Sequence, residues 1–182
     1  MSINGDLQTA VTQQLLLQFP MPLDSDRERR ALFLSPEVHE LVFGPYSNTA
    51  HAQRAGLLLG ELESFVMGQT IALALTPRSH KMGMMGLLEP SRQGVFDFRS
   101  LSPSPALRIF GRFYKTDVFV ALTWRPRSKA VSWSDKLPLT DNQHWQDAVI
   151  ECEKRWWEIL PNSIAVTGTE AKRYVSTNIH LV

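Results

Sequence analysis

The chain has 182 residues, 43% of them hydrophobic and 20% charged, which is the composition of a folded globular protein rather than a disordered one. No run of 18 or more apolar residues appears, the first residues lack the basic and apolar regions of a secretory signal, and Cys152 is the only cysteine. These features exclude a membrane span, an intrachain disulfide and a thiolate metal cluster, and make the cytoplasm the default compartment.

The net charge of +1 hides an asymmetry. Between Arg78 and Lys136 stand eleven Lys/Arg against four acids, a balance of +7, while the rest of the chain carries eight against fourteen, or −6. Segregated charge of this kind is the footprint of a protein that meets a polyanion, and its bland counterpart is a set of solvated edges and turns.

In chain order, Leu7, Val11, Leu15 and Phe19 fall at helical spacing until Pro20 and Pro22 end the pattern. Residues 24–30 read as a charged linker and 31–34 as a first strand. Ser35 followed by Pro36 signals a helix start, and Gly44-Pro45 its end. A stronger helix begins at Asn48, with Ala55, Leu58, Leu62 and Phe65 as its apolar stripe and Gly68 as its stop. Residues 71–75 are a strand or buried backbone. Three strands follow at 95–101, 107–114 and 118–124, the last two joined by a hairpin turn at 115–117. A polar loop at 134–142 leads into a helix over 141–160, with Trp145, Val149, Cys152 and Trp156 on one face.

This order predicts an α+β fold: N-terminal helices, a three- to four-stranded antiparallel sheet with a basic face, and a C-terminal helix packed on the apolar face. Residues 1–30 form an N-terminal extension and linker, 31–162 the main domain, and 163–182 a tail of undetermined structure. Alternation sets the hairpin register. With a loop of two or four residues, Leu107, Ile109, Gly111 and Phe113 share an apolar face with Val118, Val120, Leu122 and Trp124, while Arg108, Phe110, Arg112, Tyr114, Phe119, Thr123 and Arg125 collect on the other. Arg108 then lies across from Arg125, a like-charge pair that needs something anionic beside it. Either a ligand supplies that charge, or acids of the chain do so: Asp97, Glu89 or those of the C-terminal helix.

Residues 95–101 (VFDFRSL), 106–113 (ALRIFGRF) and 118–129 (VFVALTWRPRSK) resemble the RelE/ParE toxin superfamily, in particular its HigB-like and phage-derived branch. The resemblance covers about residues 86–129 and implies a ribosome-dependent, metal-independent mRNA endonuclease, with an antitoxin protein as partner and no cofactor. It assigns Arg99 to the arginine ending the first strand, Arg108 to the one opening the next, and Arg125, Arg127 and Lys129 to the basic cluster after the third, as catalytic groups. Lys81 matches an upstream lysine, and Lys81, Arg92 and Arg112 serve as nucleic-acid-binding groups. Where the family often carries a tyrosine or histidine after the cluster, this chain has Trp133, which exchanges no proton at neutral pH. The competing expectation is therefore a non-enzymatic interaction protein on the same scaffold. His39, His51, His80, His144 and His180 show no ligand spacing, and Cys152 sits on an apolar helix stripe. Of Trp156 and Trp157, one indole points inward and the other to an edge, where a homodimer contact or base stacking would use it.

Overall fold

The computed structural model describes residues 5–20, 29–76, 83–90, 93–102, 104–127 and 133–182. Its elements in chain order are α1 (Gly5–Thr12), β1 (Leu17–Gln18), β2 (Ala31–Leu34), α2 (Pro36–Phe43), α3 (Thr49–Val66), β3 (Ile71–Ala74), β4 (Met85–Leu87), β5 (Val95–Ser100), β6 (Leu107–Lys115), β7 (Val118–Pro126), α4 (Asn142–Ile159) and β8 (Ile179–Leu181). A short 3-10 turn covers Ala171–Arg173. The class is α+β, as the sequence predicts.

The local signals act where the sequence places them. Ser35 Oγ caps α2 by accepting from Val38 N at 3.3 Å, and Asn48 Oδ1 caps α3 by accepting from His51 N at 2.9 Å. The first helix is shorter than its apolar spacing suggests: it stops at Thr12, and Phe19 belongs to a different core from Leu7.

The sheet departs from expectation. Among the described residues it has eight strands in the order β1-β2-β7-β6-β5-β4-β3-β8 rather than three or four. It is mixed rather than antiparallel, because β2 runs parallel to β7 and β3 parallel to both β4 and β8. Both faces are covered. One core joins Leu32, Leu34, Phe96, Phe98, Ile109, Phe113 and Trp124 to α2 and α3. The other joins Ala31, Phe33, Val95, Phe110, Val120 and Leu122 to α1 and α4. A strand sandwiched in this way buries every residue, and the first seven residues of both β6 and β7 are buried.

The hairpin register is as expected at its open end and at Lys115–Val118 beside the turn, and shifted by one residue between them. Arg108 faces Arg125 and Ile109 faces Trp124, as alternation predicts. Irregularities at Phe110/Gly111 and Phe113/Lys115 then shift the pairing, so that Gly111 faces Ala121 and Arg112 faces Val120. Val118, Val120 and Leu122 therefore join the face that carries the arginines, and Phe119 and Ala121 join the α3 side. Correspondingly, α4 packs on the arginine-bearing face, not on the one opposite it. The basic face is thus a buried interface over most of its length, and only its open end reaches the rim.

Arg30 closes the architecture. Reading 24–30 as a linker puts this side chain in solvent, yet it is 1% exposed. Its Nη1 donates to Phe65 O and Gln69 O, at 3.3 and 2.8 Å, and its Nη2 to Thr177 O and Asn178 O, at 2.8 and 3.4 Å. Asp117 Oδ1 lies 3.9 Å from Nε. One guanidinium thus joins the end of α3, the β6–β7 turn and the approach to β8. Arg30→Met should cost about 3–5 kcal/mol, because it leaves buried carbonyls and a carboxylate without their donor. A urea midpoint within error of wild type would show that the clamp is dispensable.

Candidate anion-binding site

The register brings three arginines into one row across adjacent strands. Arg99 of β5 faces Arg108 of β6, and Arg108 faces Arg125 of β7. Neighbouring strands lie about 4.8 Å apart, so the row places like charges side by side. Arg127, just beyond β7, is exposed and lies at the same end, its Cζ 5.3 Å from the centroid of Trp145 on α4.

The chain itself supplies part of the counter-charge. Asp97, 1% exposed, sits two residues before Arg99 on the same face and takes 3.0 Å contacts from Arg99 Nε and Arg108 Nε. The Arg99 contact is a hydrogen bond to both carboxylate oxygens, whereas the Arg108 contact is an ion pair without hydrogen-bond geometry. Glu151 of α4 pairs with Arg125. Both acids belong to the set that the sequence offered as an alternative to a ligand.

The electrostatics follow from burial and crowding. Burial lowers the Arg108 pKa to about 10; Asp97 pulls it back up, and Arg99 and Arg127 push it down further. Burial pushes the Asp97 carboxyl up, and Arg99 and Arg108 draw it back. Gly86, opposite Asp97 on β4, makes the close approach possible, since a Cβ there would run into the Arg99 guanidinium and the Asp97 carboxylate.

Of the residues singled out from the sequence, Arg99, Arg108, Arg125 and Arg127 come together at this end. Arg112 does not: it lies four residues further along β6, about 13 Å away, beneath α4. Lys81, Arg92 and Lys129 lie outside the described residues.

A second polar seam, missed in the sequence, lies across the sheet under α3. Arg54, 2% exposed, donates from Nη2 to Ser100 O and Oγ at 3.0 and 2.6 Å, and from Nε to Pro105 O at 2.9 Å. Glu61 shares the same serine, and its carboxyl is pushed up by burial. His51 stacks on Trp133 at 4.1 Å and 6°. A signal for this seam exists: His51 and Arg54 precede Ala55 and Leu58 by one helical turn, which places them on the buried stripe.

No family model, curated protein or solved structure matches the chain.

Proposed function

We propose that the chain is a RelE-like, cytoplasmic RNA-binding protein that grips phosphates at the open end of its sheet and does not cleave them. The observation that carries this reading is the row Arg99–Arg108–Arg125 with Arg127 beside it: four guanidinium groups accompanied, among the described residues, by the carboxylates Asp97 and Glu151. Guanidinium groups fit phosphate oxygens with paired N–H donors, and the surplus positive charge is placed at the rim by Arg127. Binding is favoured over catalysis by the proton-transfer chemistry. Cleavage by the 2′-hydroxyl needs a base and an acid at the phosphate. Asp97 is buried between its arginines, and Trp133 stands where the resembling family often has a proton-exchanging side chain.

The test is titration of a single-stranded RNA by fluorescence anisotropy. Raising salt from roughly 50 to 200 mM should weaken binding by about tenfold or more if about three phosphates are engaged. Arg125→Ala and Arg127→Ala should each weaken it, and Arg125→Lys should keep most of the affinity at a similar salt slope. No measurable affinity at low salt ends the nucleic-acid reading. RNA cleavage by the wild type, with or without ribosomes, that falls tenfold in Arg125→Lys at unchanged affinity would replace the binder by the nuclease.

A further inference from the structure

Arg112 is set apart from the other buried and half-buried arginines. Arg30, Arg108 and Arg125 each have a carboxylate at ion-pair distance, and Arg54 is tied by three hydrogen bonds. Arg112 is 3% exposed, and among the described residues it has neither a hydrogen bond nor an ion pair. Its Nε and Nη1 are buried without partners. A buried, uncompensated cation costs several kcal/mol in general, so its retention calls for a reason.

The surroundings point to a ligand chemistry. The Arg112 guanidinium lies 5.0 Å from the Trp156 ring centroid and 5.9 Å from that of Trp157, and Trp157 is 44% exposed. Gln93 precedes β5, whose Val95 faces Arg112. Its amide donates to Glu153 Oε2 at 2.7 Å, while its own Oε1 is buried without a partner. Glu153 acts on Arg112 through space but lies beyond ion-pair distance. Cys152 supplies no counter-charge, because complete burial pushes its thiol far up and keeps it protonated. The cluster therefore sets the exposed Trp157 indole at the rim beside an amide and a cation whose unused Nε and Nη1 donors are buried just behind it.

We propose that Arg112 is the anchor of a second site, which takes an organic carboxylate whose flat apolar body lies on Trp157. The carboxylate would accept from the unpaired guanidinium donors and supply the counter-charge that the fold withholds. This site stands independently of the RNA reading, since Arg112 lies four residues along β6 from Arg108, about 13 Å from the arginine row.

Two sources share this chemistry, a free small acid and the C-terminal carboxylate of a peptide. The full chain is therefore titrated with benzoate, with N-acetylphenylalanine, and with the neutral amide of the latter, at ionic strength matched with sodium chloride. Tryptophan emission and the melting temperature are read together, since Trp156 and Trp157 flank the anchor. At least one carboxylate should shift both at millimolar concentration, and the amide should not. Benzoate acting alone identifies a free acid, and N-acetylphenylalanine acting alone a peptide terminus. Arg112→Met should abolish the response while melting as high as the wild type or higher, and Gln93→Leu, at the rim, should weaken the response tenfold or less. RNA affinity should be unchanged in both variants. If no carboxylate exceeds the sodium chloride control in the wild type, or if the Arg112→Met protein responds as the wild type does, the site does not exist.

Discussion

Asp97→Ala should lower stability by about 3–5 kcal/mol, a drop of roughly 6–20 °C in melting temperature for a chain of this size. The cause lies in the arginine row. Asp97 is 1% exposed and is the shared acid of Arg99 and Arg108, which face each other across β5 and β6. Removing it leaves two neighbouring guanidinium groups with a smaller share of counter-charge in a site that water enters poorly. Adding Arg108→Met should return most of the loss, because a buried ion pair exchanged for apolar volume is close to neutral whereas half of one is not. Calorimetry on the single and double variants measures this directly. An additive double variant would show that the two side chains are not coupled. The same row gives a functional readout: Asp97→Asn, which keeps the shape and removes the charge, should tighten RNA binding and steepen its salt dependence if the row holds phosphates.

Leu122→Asp and Thr123→Asp should both abolish cooperative unfolding at room temperature. Strict alternation along β7 would put Leu122 in a core and Thr123 in solvent, so that only the first substitution would harm the fold. Both residues are in fact 0% exposed. Thr123 faces Phe110 of the core under α4 in the regular register, and the irregularity just beyond, between Phe110 and Gly111, places Leu122 in that same core. An unpaired carboxylate at either position costs about 4 kcal/mol or more, a large part of the usual stability of a domain. A Thr123→Asp protein that melts like the wild type would restore the solvent-facing assignment.

The elements governed by short-range chemistry were legible in the chain. Ser35-Pro36 and Asn48 mark helix starts because their side chains cap the first backbone N–H groups. Gly44 and Gly68 mark ends because they adopt φ values of 82° and 73°, which other residues avoid. The strands 95–100 and 107–115 and the helix 142–159 follow from composition and period. The meeting of Arg108 with Arg125 follows from alternation counted back from the turn.

The rest depended on partners distant in sequence. A continuous apolar run such as 118–122 is compatible with either register, because it suits a strand buried on both sides as well as one that alternates. Only α1 and α4 on one face and α2 and α3 on the other explain why the first seven residues of β7 are all buried. The three short strands β3, β4 and β8 pair in part through parallel contacts, which leave no hairpin signal in the chain. Arg30, Arg54 and Arg112 look like surface residues until the carbonyls of Phe65 and Ser100 and the indoles of Trp156 and Trp157 are brought to them. The sequence alone thus determined a fold of mixed helix and sheet and a concentration of arginine in its middle third. Tertiary structure decided which of those arginines are counter-balanced, which reach the rim and which lie buried without a partner, because burial and counter-charge are properties of what packs alongside, and no local pattern encodes them.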